Sequence, residues 1–215
     1  MNFQRQYRLV TLDLDGTMFQ ANSVLFLKEK GLLGDEVELL HACYESAEIT
    51  ESELNRLQAP ILKSTGLSRM LQTLLSGPLL RNITEGVELL KRAGFAVSML
   101  TFNPLQIFFK IEYGIDTSIS MNAEIEGDSI SQTGELPENK LEYLKTYCES
   151  KSISLKQVIH VGDGPNDIPT FKVVGLAIAL NPTSEIVRKE ADLSLMTDDF
   201  SLVAREIMKN TFDQT

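Results

Sequence analysis

Three apolar runs in this chain each end on a chemically capable polar residue, and that repeated pattern narrows the folds open to it. Tyr7 to Asp15 carries Leu9, Val10, Leu12 and Leu14 and contains Asp13-Leu14-Asp15, followed by Gly16-Thr17. Phe95 to Leu100 closes on Thr101, and Val158 to Val161 enters Gly162-Asp163-Gly164-Pro165-Asn166-Asp167. Nearly continuous apolar character, rather than alternation, belongs to strands covered on both faces. From residue 77 onward helical and strand patterns alternate, which predicts an α/β fold with a parallel sheet and helices on both faces. If the runs are parallel neighbours, their C-terminal ends meet at one sheet edge, where open α/β sheets bind ligands.

Residues 18–76 read differently. Leu25, Phe26, Leu27, Leu32, Val37, Leu39 and Leu40, then Leu54, Leu57, Ile61, Leu62, Leu67, Met70, Leu71, Leu74 and Leu75, recur at helical spacing. Gly31, Gly34, Pro60 and Gly66 punctuate them. This predicts a small all-helical cap over 18–76, inserted after the first acidic motif, with a core domain made of 1–17 and 77–215. Gly77-Pro78 marks the return to the core. A helix follows with Thr84 as its N-cap, running to Arg92. The stretch from Ala123 to Thr133 alternates around Gly127-Asp128, a hairpin or flap signature. A helix from Glu138 to Ser150 carries Lys140. Two short strands, Gly175–Leu180 and Asp192–Leu195, and a helix from Phe200 to Lys209 complete the pattern.

The formal net charge of -10 disfavours nucleic-acid backbones and anionic membranes, but a bound cation can reverse the local field for a small phosphate. No apolar stretch approaches the roughly 20 residues of a membrane span. Met1 to Arg8 are polar, with no leader pattern, so a cytoplasmic monomer or homodimer is expected. Cys43 and Cys148 provide no disulfide framework and read as free thiols. There is no G-x-x-x-x-G-K-[ST] loop and no G-x-S-x-G elbow, which excludes a P-loop NTPase and gives no sign of a serine hydrolase.

Asp13 and Asp15 sit two apart, and a strand end that bends at Gly16 can separate their roles. One carboxylate can attack phosphorus, giving an acyl-phosphate, while the other transfers a proton. D-G is also an ordinary turn dipeptide. Asp163 and Asp167 lie four apart on a glycine turn entering a helix, a pattern suited to Mg²⁺ and equally to helix capping. The Thr101 hydroxyl, with the amides of Phe102 and Asn103, could hold phosphate oxygens, and Lys140 could neutralise them. His160, in mid-strand, reads as a packing histidine, and His41 has no relay partner.

Taken together and in this order, these segments resemble the haloacid dehalogenase superfamily. Asp13-Leu14-Asp15-Gly16-Thr17 matches its first motif and Gly162 to Asp167 its fourth, with Thr101 and Lys140 where the second and third fall. The insertion looks like a C1-type cap, and the G-D-G-x-N-D turn is similar to the phosphoserine phosphatase branch. The resemblance implies a Rossmann-like core and a Mg²⁺-dependent phosphomonoesterase acting on a small phosphorylated metabolite through an aspartyl-phosphate. Asp13 would be the nucleophile and Asp15 the general acid/base. Asp13, the Asp15 carbonyl, Asp163 and Asp167 would arrange the metal. Thr101, Phe102, Asn103, Lys140 and Asn166 would serve the phosphoryl group. That branch reads a substrate amino group with a cap Glu and a carboxylate with a cap Arg; Asn22 stands near the first position and Arg56 near the second. Its second motif is usually Ser-Gly-Gly, so Phe102 is expected to reshape the pocket. Lys63 and Arg69 are further inward-facing candidates. A phosphotransferase or mutase using the same phospho-Asp, and a non-catalytic phospho-ligand module, are the competing readings.

Overall fold

A computed structural model describes residues 7–119, 122–133 and 139–212. Strands β1 (Leu9–Leu12), β2 (Ala96–Met99), β3 (Thr117–Ser118), β6 (Val158–Gly162), β7 (Leu176–Leu180) and β8 (Leu193–Leu195) form a parallel sheet in the order β3-β2-β1-β6-β7-β8. The order reverses at β1, which lies between β2 and β6. That is the switch point at which the loops leaving adjacent strands diverge and open a crevice. An antiparallel hairpin of β4 (Asn122–Glu126) and β5 (Ser129–Thr133) stands apart from the sheet.

Side-chain alternation along the strands divides the interior into two cores. Val10, Leu12, Val97, Ile159, Val161 and Ile178 face one side. They pack there against α5 (Ile83–Arg92), α6 (Gln106–Glu112) and α10 (Phe200–Phe212). Leu9, Val158, Ala177 and Ala179 face the other, against α7 (Lys140–Lys151), α8 (Ile168–Phe171) and α9 (Glu185–Glu190). The expected helix-sheet-helix layering is present. Cys43 and Cys148 are both free thiols. No helix among the described residues is long and apolar enough to cross a membrane.

Some local expectations shift. Thr84 does not cap α5; the cap position is Asn82, in the left-handed region at φ 56°, with its side-chain amide on Asp199. Starting the helix at Ile83 lets that residue join the core with Val87 and Leu90. Pro60 does not interrupt the chain either. Its fixed φ is compatible with a helix, and one buried edge, from Leu54 to Leu62, spans it.

Between β1 and α5 run α1 (Ser23–Glu29), α2 (Glu36–Glu45), α3 (Glu51–Ser64) and α4 (Leu67–Leu75). Their buried faces, including Val24, Leu27, Val37, Leu62, Met70 and Leu74, continue the first core through Met18 and Phe19. The hairpin tip fastens to these helices. Gly66, before α4, has no side chain with which to cap it. Asp128 supplies the missing acceptor, taking the Ser68 amide and hydroxyl at 2.8 Å each, while the Leu67 amide donates to its carbonyl at 2.9 Å. Those bonds hold the Asp128 carboxyl below its ordinary pKa. Replacing Asp128 with Ala should therefore speed amide exchange at Ser68 and the first turn of α4 by about three- to tenfold, leaving the sheet unchanged. Unchanged exchange at Ser68 would show that the hairpin does not restrain α4.

Candidate active site

The ends of β1, β2 and β6 bring Asp13, Thr101 and Asp163 to the switch point, and α7 delivers Lys140 from its first turn. Lys140 is 2% exposed, and its ammonium lies 2.8 Å from Asp13 Oδ1 and 2.9 Å from Asp167 Oδ1. Asp167 has every oxygen occupied. Oδ1 also meets His160 Nε2 at 3.0 Å, and Oδ2 accepts the Asp163 and Gly164 amides at 3.0 and 3.1 Å. An ionised carboxylate only accepts. His160 therefore carries a proton on Nε2, and its Nδ1 lies 2.9 Å from the Thr11 hydroxyl. Lys140 and His160 hold the Asp167 carboxyl well below its ordinary pKa against the opposing effect of burial. Burial and the Asp167 and Asp163 charges push Asp13 up, opposed by Lys140. The two aspartates raise the Lys140 pKa in turn.

Asp163 also approaches Asp13. Its Oδ1 accepts the Thr17 hydroxyl at 3.0 Å, and its carbonyl accepts the Thr183 amide and hydroxyl, each at 3.0 Å. Two glycines make room for the acids. A Cβ on Gly16, whose φ is +81°, would lie 2.1 Å from the Asp163 carboxylate, and one on Gly162 would lie 2.3 Å from that of Asp167. Burial, followed by the Asp167 charge, pushes Asp163 up to about 7.

Asp13, Asp163 and Asp167 bring one oxygen each within 4.8 Å of the others. Three buried carboxylates against one lysine form a hard-oxygen donor set with an excess of negative charge, which fits a divalent cation such as Mg²⁺. The oxygens of Asp13 and Asp163 are the less encumbered ones.

Asp15 lies outside that triad. Its Oδ1 accepts the Ser23 amide at 2.8 Å, and its Oδ2 accepts the Asn103 side-chain amide, also at 2.8 Å. Burial raises its pKa, and the Asn103 and Ser23 bonds oppose that rise. Asn103 is itself pinned, donating to Ser23 Oγ at 2.7 Å and accepting the Leu105 amide.

Above these groups lies a cavity of about 110 Å³, which Asp13, Asp15, Thr101, Asn103, Asn166 and Asn22 all line. From α2 and α3 come His41, Tyr44, Glu51, Asn55 and Gln58, none of which stood out in the sequence as a site residue. The available signal was polarity on a buried helical face: His41 follows Val37 by one turn, and Asn55 and Gln58 interrupt the Leu54–Leu62 edge.

Three expectations for side chains need correction. Arg56 is exposed and does not line the cavity, because the buried face of α3 is set by Leu54, Asn55, Gln58 and Leu62. Lys63 and Arg69 are exposed as well. The Phe102 ring does not shape the pocket; it is buried against Tyr143, with centroids 5.8 Å apart. Asn22 does line the cavity, but its Oδ1 is committed to capping α1 through the Leu25 amide at 3.0 Å.

A family model described as haloacid dehalogenase-like hydrolase matches residues 119–207. Over that stretch the chain is similar to haloacid dehalogenase-like hydrolases. It is 27% identical over 205 residues to a phosphoserine phosphatase of Archaeoglobus fulgidus, covering 92% of this chain and 59% of that protein. It is 26% identical over 178 residues to a phosphoserine phosphatase of Lactococcus lactis, covering 80% and 82%. The fold is shared with a solved phospho-aspartyl intermediate analogue of phosphoserine phosphatase, at TM-score 0.71 and 22% identity, over 95% of this chain and 99% of that one.

The raised Asp163 pKa fixes a pH dependence for the chain without metal. A carboxyl whose pKa rises on folding adds its full stabilisation below the unfolded value and loses it as pH climbs through the folded one. Metal-free protein should lose stability between about pH 4 and pH 8. Asp163→Asn, which still accepts from Thr17, should gain on the order of 2 kcal/mol relative to wild type at pH 8 and about nothing at pH 4. Equal differences in denaturant midpoint at the two pH values would refute this.

Proposed function

We propose that this chain is a phosphomonoesterase that forms an aspartyl-phosphate on Asp13. The observation that carries the reading is Lys140, buried between Asp13 and Asp167. An ammonium in contact with a buried carboxylate favours its ionised, nucleophilic form. The same ammonium, with the Thr101 hydroxyl and the amides that follow it, can meet the oxygens of a phosphoryl group delivered to Asp13.

Asp15 is the general acid and base of this scheme. It lines the same cavity as Asp13, and burial raises its pKa towards the value a proton donor needs. Asn103 and Ser23 fix its orientation, so it can protonate the departing alkoxide and later take a proton from the attacking water. Asn103, Asn166 and the Phe102 backbone complete the phosphate surroundings; the Phe102 side chain takes no part.

Mg²⁺ would be held by Asp13, Asp163 and the Asp15 carbonyl, with Asp167 fixing the arrangement through its bonds to Lys140, His160 and the turn amides. When bound, it would offset negative charge on the phosphoryl oxygens. Residues 18–76 act as a cap that shields the site from bulk solvent. The substrate is a small phosphate ester.

Phosphate release from a generic aryl phosphate should require Mg²⁺, and Asp13→Asn should lower kcat by at least about a thousandfold with the fold intact by circular dichroism. Turnover by Asp13→Asn near the wild-type rate, or full activity in excess chelator, would overturn the proposal.

A further inference from the structure

The α2 and α3 wall of the cavity is rich in acceptors and lacks cations. Among the described residues that line it there is no lysine or arginine. Lys140, beneath it, is already engaged by Asp13 and Asp167. Arg56, Lys63 and Arg69 all point to solvent.

The same wall presents the carboxylate of Glu51, from the first turn of α3. No salt bridge within 4.0 Å is seen for Glu51 among the described residues, and the contact made to its Oε1 is the Asn166 amide at a long 3.4 Å. Burial raises the Glu51 carboxyl pKa and the Lys140 charge beneath offsets that only in part, so a cation held in the cavity would relieve the cost of keeping this carboxylate ionised. Further along α3, Gln58 donates to Asn55 at 2.8 Å and interacts with His41, which also lines the cavity. Gln58 is 3% exposed and His41 7%.

A leaving group bearing a carboxylate would meet Glu51 and Asp15 here with no cation to balance it, a repulsive arrangement. An ammonium has three donors and no acceptor, the complement of this wall. The Asn22 side chain, which also lines the cavity, is neutral and occupied in capping α1.

We propose that the leaving alcohol carries an ammonium and no carboxylate, and that Glu51 is the specificity residue that holds it: the substrate class is amino-alcohol phosphates rather than phospho-amino acids. This rests on the phosphomonoesterase reading above. The proposal concerns selection among leaving groups; the P–O bond broken and the water consumed are those of the hydrolysis itself.

The test compares kcat/KM, with Mg²⁺, for 2-aminoethyl phosphate, its neutral isostere 2-hydroxyethyl phosphate, phosphoserine and an aryl phosphate. Wild type should favour 2-aminoethyl phosphate over both 2-hydroxyethyl phosphate and phosphoserine by at least about tenfold, the worth of one charge-assisted hydrogen bond. Glu51→Gln should erase the preference over 2-hydroxyethyl phosphate, and Glu51→Lys should move the preference towards phosphoserine. Ratios taken within one protein are independent of how much of it is folded. Asp13-dependent aryl phosphatase activity with no amine preference, or a preference that survives Glu51→Gln, would overturn the Glu51 assignment while leaving the phosphatase reading in place. No turnover of any substrate, aryl phosphate included, would overturn both.

Discussion

One ammonium buried among carboxylates organises the site. Lys140 spans Asp13 and Asp167 at 2% exposure. Breaking a buried pair of this kind from one side leaves an uncompensated charge, a cost of about 3–5 kcal/mol. The contact therefore couples stability to chemistry. The lysine that makes burial of the acids tolerable also lowers the Asp13 pKa against the larger effect of burial. His160 and Thr11 extend the support into the sheet, so Asp167 is held from four directions and transmits that rigidity to the turn carrying Asp163.

The fold supplies what the lysine cannot. Reversal of strand order at β1 opens the crevice, and glycine at positions 16 and 162 lets two carboxylates approach the backbone more closely than any Cβ permits. The helices of α1 to α4 close the crevice from above, and Asp128 on the hairpin ties that roof to a segment beyond β3. In the proposed reaction chemistry and selectivity come from different parts of the chain: the sheet edge handles the phosphoryl group, and α2 and α3 meet whatever departs from it.

The sheet was legible in the sequence because its strands are buried on both faces, and continuous apolar runs such as Leu9 to Leu12 and Val158 to Val161 have few other uses. Acids at the ends of such runs stand out for the same reason. Lys140 was legible through its order between the motifs; a lysine on a helix carries no local mark of burial. His160 was read as packing, and it does pack against Phe171, but its second role, at Asp167, depends on a partner seven residues away that only the turn brings back. The cavity wall was the least legible part. Whether Glu51 or Arg56 faces inward depends on the rotation of α3, which Leu54 and Leu62 set by packing, and a polar residue on a helix face looks alike from either side. The Thr84 cap failed because Asn82, in a left-handed conformation, takes the position through tertiary contact with Asp199.

The account stands most directly on a covalent intermediate at Asp13. Protein mixed with Mg²⁺ and a labelled aryl phosphate, quenched in acid within one turnover and reduced with borohydride, should carry its modification on the peptide containing Asp13, at that residue. Modification of Asp15 or of a residue outside the β1 end, or turnover with water attacking directly and no protein-bound phosphoryl group at any quench time, would contradict it.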